Sequence, residues 1–119
     1  VLVRRAAQCR EIVANDGCRL RELLHPAHDR SGLPYSLALA VVAPGQATHP
    51  HWLLQHEVYL VIRGRGRMHI GDEVDELGPG DSVVIPPQAR QWIENCGPGE
   101  LEFVALVSPP WRAEDDHRG

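Results

Sequence analysis

The chain contains no lysine; all 12 of its Lys/Arg positions are arginine. That absence excludes Schiff-base chemistry and a lysine-anchored pyridoxal cofactor. It also excludes a phosphate loop ending in lysine, and no glycine-rich phosphate loop precedes a helix. Hydroxyl nucleophiles are scarce, with four serines and one threonine, none of them in a Gly-x-Ser-x-Gly elbow, so acyl chemistry is disfavoured. The three cysteines, Cys9, Cys18 and Cys96, form no Cys-x-x-Cys pair, which argues against a zinc knuckle. No cysteine has an activating neighbour in sequence. An odd cysteine count without a visible secretory signal points to free thiols in a reducing compartment, and cytoplasmic location is the expectation.

Two further absences narrow the partners. No run of about 18 apolar residues occurs, so no transmembrane helix and no membrane partner is expected. No broad basic face is visible either: net charge is −4, and the one basic cluster is Arg63-Gly64-Arg65-Gly66-Arg67. Nucleic-acid binding is disfavoured on that ground. Strand alternation sends those three arginines to one face, where they read as a solvated turn and strand edge.

What the chain does have is breakers and short apolar segments. Eleven glycines and ten prolines divide 119 residues that are 43% hydrophobic. This pattern favours one all-β domain, a sandwich or barrel with a real core. Cys18 to Leu24 alternates as a first barrel strand, and a short strand is possible nearer the start. His25 to Pro34 reads as a loop, in which His25 and His28 are expected to be solvated. Tyr35 to Ala43 suits a strand buried on both faces. Glu57 to Ile62 is the strongest strand signal, β-branched and aromatic without a breaker. Met68 to Ile70, Glu73 to Leu77, Ser82 to Ile85, Gln91 to Glu94 and Glu100 to Val107 follow. The single domain spans 1–119, with the barrel at about 18–108 and a polar, flexible C-terminal tail at 109–119.

The chemistry concentrates between Gly45 and Gly64. His49, His51, His56 and Glu57 fall within nine positions. Imidazole and carboxylate are the usual ligands of first-row divalent metals. His49, His51 and Leu53 are two apart and share a face in an extended chain; Glu57 and Tyr59 stay in phase with them. His56 then faces the other way. Trp52 and Trp92 also face away from this surface, and Trp111 is placed to cover a barrel end.

Gly45 and His51 are separated by five residues, and Glu57 and Gly64 by six; downstream, Gly80, Pro86 and Asn95 keep a second regular layout. Together these two segments resemble the paired motifs of the cupin superfamily. The resemblance implies a single jelly-roll barrel of two antiparallel sheets. It also implies one divalent transition metal per chain (Fe, Mn, Ni, Co, Cu or Zn), held by two histidines and a glutamate of the first motif and a histidine of the second.

This chain departs from that pattern. Leu53 stands at the second histidine of motif one, Gln88 at a glycine, and Gln91 at the motif-two histidine. Either His51 pairs with the missing histidine at Leu53, or His49 and His51 are the pair with a longer loop to Glu57. His51 and Glu57 are ligands in both alignments. Gln91 offers an amide oxygen, a weaker donor than imidazole. The metal set is therefore His49, His51, Glu57 and Gln91, with Glu57 and Tyr59 as candidates for proton handling. The expected function is a metal-binding small cupin acting on a small polar molecule, of oxygenase, isomerase or cyclase type. The alternatives are a non-catalytic ligand-binding or sensing module and a metal-free structural barrel. A homodimer is expected, because Cys18 to Leu24 is tethered by a loop long enough to reach a neighbouring copy.

Overall fold

A computed structural model describes residues 1–119, and the breakers cut them into eleven strands. In chain order these are β1 (Glu11–Val13), β2 (Arg19–Leu24), β3 (Ser36–Val42), β4 (His51–Leu53), β5 (His56–Arg63) and β6 (Gly66–Ile70). They continue as β7 (Glu73–Leu77), β8 (Ser82–Ile85), β9 (Gln91–Asn95), β10 (Leu101–Ser108) and β11 (Asp116–Arg118). Two antiparallel sheets result. One has the order β1-β2-β3-β10-β5-β8 and the other β11-β4-β9-β6-β7. No helix is long and apolar enough to cross a membrane.

Period-two burial shows which faces meet. In β10, Leu101, Phe103, Ala105 and Val107 are buried and their alternates are half-buried. In β5, Glu57, Tyr59 and Val61 are buried, whereas His56, Leu60 and Ile62 are exposed. Phe103 lies opposite Val61 in register, and its ring tilts against Tyr59 at 4.3 Å. Met68, Ile93 and Leu77 face them from the other sheet in the same core. Full burial of a side chain such as Phe103 or Ile93 contributes roughly 1.5–3 kcal/mol. β3 buries its second half more completely than its first, so the double-sided burial expected for Tyr35 to Ala43 holds only in part.

The spaced glycine and asparagine of the motifs have physical reasons. Gly64 has φ +87, and a Cβ there would collide with the Glu100 carbonyl. Asn95 ties three backbone segments together. Its Nδ2 donates to the carbonyls of Val42 at 3.0 Å and Gly99 at 2.8 Å, and its Oδ1 accepts from Gly97 N–H. Gln88 occupies a motif glycine position and takes a left-handed conformation, φ +67.

The C-terminal tail, expected to be flexible, is built into the fold. β11 pairs with β4, and Gln55 donates to Asp115 at 2.7 Å. Trp111 N–H donates to Ser36 Oγ at 2.9 Å. The polar composition that suggested a free end instead supplies these hydrogen bonds. β2, the strand expected to reach another copy, pairs with β3 of its own chain.

Candidate functional site in the barrel cavity

A cavity of about 340 Å³ opens between the sheets, lined mostly by apolar side chains. His51, Glu57 and Tyr59 reach it from β4 and β5, as their alternation requires. Leu53 lines the same space and is 3% exposed, so the second-histidine position of motif one presents only hydrocarbon.

His51 is held by its own backbone. Its Nδ1 lies 3.2 Å from the His49 carbonyl. A carbonyl only accepts, so this contact places a proton on Nδ1, and in the neutral ring Nε2 is then the acceptor. Nε2 stands 3.9 Å from Asp16 Oδ2, beyond hydrogen-bond reach. Asp16 sits in the turn between β1 and β2. Its Oδ1 accepts the Cys18 N–H at 3.1 Å, and its carbonyl accepts the His49 N–H.

Glu57 meets the second motif at this point. Gln91 opens β9 directly across from His51 in register, and its Nε2 donates to Glu57 Oε1 at 2.8 Å. Gln91 Oε1 is buried without a partner. Burial pushes the Glu57 carboxyl up to about 8; the Gln91 hydrogen bond opposes the rise, and Asp16 and Asp116 add to it. Burial, then the Glu57 and Asp16 charges, also drives the Tyr59 hydroxyl well above its ordinary value. Burial and the Asp16 carboxyl push the Cys18 thiol up, away from its nucleophilic form.

His49 is not part of this group. It is exposed, and its ring lies over Gly17, where a Cβ would come within 2.9 Å of it. The two-residue step from His51 did not carry over, because residues 48–50 lie outside any strand. Of the four sequence-derived ligand positions, the fold therefore gathers His51, Glu57 and Gln91 and leaves His49 outside. His56 is exposed, as expected. Trp52 stacks on His117 at 4.2 Å, and Trp92 on His69 at 4.2 Å, both off the cavity.

Several site residues were not singled out from sequence. Asp16 and Cys18 line the cavity, as do Asn15 and Asp116. Asp116 accepts from Asn15 Nδ2 and from Trp111 Nε1, both at 3.0 Å. Asn15-Asp16-Gly17 is a recognisable turn signature, yet its seat over the barrel depends on contacts across the whole chain.

His25 is a correction. It is 6% exposed rather than solvated. Its Nδ1 accepts the Ala27 N–H at 3.1 Å and its Nε2 bonds the Trp111 carbonyl at 2.8 Å. With Glu22 and His28 it forms a group whose donor atoms lie within 4.8 Å of one another. Both ring nitrogens of His25 are already engaged, so metal binding there would first have to break one of those bonds.

Comparison with known proteins agrees with the fold. A protein of Methanocaldococcus jannaschii, described as uncharacterized, is 38% identical over 87% of this chain and 82% of its own length. A mutant of the Bacillus subtilis oxalate decarboxylase superposes with a TM-score of 0.82 at 22% identity, covering 96% of this chain and 31% of that one. A polyketide cyclase of Streptomyces resistomycificus superposes with a TM-score of 0.81 at 16% identity, covering 99% of this chain and 84% of the cyclase. At these identities the two structures speak for the fold alone. Residues 38–107 match the Cupin domain family, and with the motif residues Glu57 of β5 and Gln91 of β9 joined by a hydrogen bond, the chain belongs to that family.

Proposed function

We propose that this protein is a small-molecule-binding cupin whose ligand seats in the barrel cavity and is held by protein groups, without a resident metal at the family's motif position. The Gln91–Glu57 hydrogen bond carries this reading. It joins the two motif positions directly to each other, where a metal would otherwise join them. The family's ligand set is incomplete here: Leu53 is hydrocarbon, His49 is outside, and Gln91 turns an N–H, which cannot coordinate, toward Glu57, which leaves His51 with the Asp16 and Glu57 carboxyls as the donors in the cavity. Asp16, His51 and Tyr59 are the polar contacts for a ligand, and the apolar wall supplies burial.

One observation favours a catalytic version. Glu57, held to about 8, carries a transferable proton at neutral pH, and His51 Nε2 is a free acceptor in the same cavity. An acid and a base so arranged suit proton transfer of the isomerase type.

Metal analysis of the purified protein tests the main reading. Substoichiometric metal, with ligand-induced stabilisation that persists in chelator, is the expected result. One tightly held metal ion per chain, lost in His51→Ala, would overturn it. Ligand-proton exchange in deuterated water, abolished by Glu57→Gln, tests the catalytic version.

A further inference from the structure

The cavity wall carries carboxyl groups and no arginine. Four carboxyl side chains, Asp16, Glu22, Glu57 and Asp116, contribute to its lining, and none of the 12 arginines does. The side-chain N–H donors around it already have protein acceptors. Gln91 gives its proton to Glu57, Asn15 and Trp111 give theirs to Asp116, and His25 bonds the Trp111 carbonyl.

His51 and Asp16 each present an acceptor to this space, beside the Glu57 carboxyl and the Tyr59 hydroxyl. The His51 side chain is 4% exposed and lines the cavity with Nε2 unpartnered; Asp16, 9% exposed at its side chain, presents Oδ2 at 3.9 Å from that nitrogen. The two atoms stand too far apart to bond each other, which leaves both available to a donor that enters the cavity. An N–H-bearing group can sit at about 2.8–3.0 Å from both, since the gap is shorter than twice that distance. Most of the remaining wall is apolar, with Leu20, Phe103 and Trp111 among its side chains.

From this complementarity we infer that the cavity binds an organic ammonium, a primary or secondary amine with a compact apolar body, its N–H groups donating to Asp16 Oδ2 and His51 Nε2. Carboxylate or phosphate ligands meet carboxyl groups and no arginine, so they are disfavoured. The inference rests on the cavity-binding reading above and names its ligand class.

Matched probe sets test it: butylamine, benzylamine and 2-phenylethylamine against the alcohols and carboxylates of the same shape, together with oxalate and Zn²⁺. Titration is followed by calorimetry and by amide NMR shifts at the cavity. The expected result is that at least one amine binds at least tenfold more tightly than its carboxylate. Asp16→Asn should remove that preference. Asn keeps an oxygen for the Cys18 N–H, and an unchanged melting temperature would show that the fold survives. Phe103→Leu provides a second variant, which should weaken the aromatic amines while keeping the amine-over-carboxylate order. If alcohols or carboxylates bind in the cavity as well as amines, the ligand class is wrong and cavity binding stands. If no amine binds at millimolar concentration, the inference fails. If Zn²⁺ binds stoichiometrically through His51 and excludes every organic probe, both readings fail.

Discussion

Gln91 Nε2 and Glu57 Oε1, 34 residues apart, lie 2.8 Å from each other in the interior of the barrel. The amide's own oxygen is buried with no donor. A protonated Glu57 has an O–H to offer such an acceptor, whereas an ionised one has none.

Stability should therefore fall as pH rises from about 4.5 to about 8. The Glu57 carboxyl sits at about 8 in the fold, against 4.5 ordinarily. Between those values the folded chain keeps a proton that the unfolded chain releases. Its contribution is full below pH 4.5, is lost as pH rises to about 8, and is level above that. The swing is on the order of a few kcal/mol. Glu57→Gln keeps an acceptor for Gln91 and adds a donor without titrating. Melting temperatures of variant and parent should converge near pH 5 and separate by several degrees at pH 8, the variant being higher. Parallel curves would show that Glu57 titrates normally.

Gln88 bears a side chain at φ +67 where the motif has glycine. The left-handed conformation costs about 1–2 kcal/mol for an ordinary L-residue. Glycine removes that strain while adding freedom to the unfolded chain. Gln88→Gly should raise stability by up to about 1 kcal/mol, and the β-branched Gln88→Val should lower it by at least as much. Urea titration reads both; equal losses in both variants would mean that the Gln88 side chain makes a stabilising contact of its own.

Restoring an imidazole at Gln91 should create metal affinity. His51 stands opposite it in register, and Glu57 is within hydrogen-bond distance. Gln91→His is expected to bind Zn²⁺ or Ni²⁺ at least tenfold more tightly than the parent in a chelator competition. Trp92→His should gain nothing, because Trp92 stacks on His69 away from the cavity. Equal affinities in the parent and Gln91→His would place residue 91 outside any ligand sphere.

A homodimer in solution is the fourth expectation. Leu60, Ile62 and Val84 are 42%, 47% and 63% exposed on the adjacent strands β5 and β8. An apolar band of this kind suits cover by a second copy. Light scattering at micromolar concentration should give twice the chain mass, and Leu60→Arg with Val84→Arg should give a single mass. A monomeric parent would reject the expectation.

The barrel was legible from the sequence because its signals are local and mutually consistent. Tyr59 and Phe103 alternate with exposed or half-buried neighbours, and Gly64 and Asn95 stand where backbone geometry requires them. Half of the site was legible for the same reason, since strand phase and motif spacing together point to His51, Glu57 and Tyr59. His49 misled because alternation was extended one step past the end of β4. Asp16, Asp116 and the buried His25 were missed because long-range contacts place them. The bond from Asn15 to Asp116 spans 101 residues, and no spacing rule reaches that far.

The segment after β10 has no residue in the barrel's apolar core cluster, yet Trp111, Ala113 and Asp116 form part of the cavity wall. Part of the cavity wall thus comes from a stretch of chain outside the apolar core. Substitutions of the side chains at 111, 113 and 116 change the pocket wall without removing a residue of the apolar core. A family that diversifies its ligands can work through such an end-piece, and engineering of new selectivity in this protein has its most permissive starting point there.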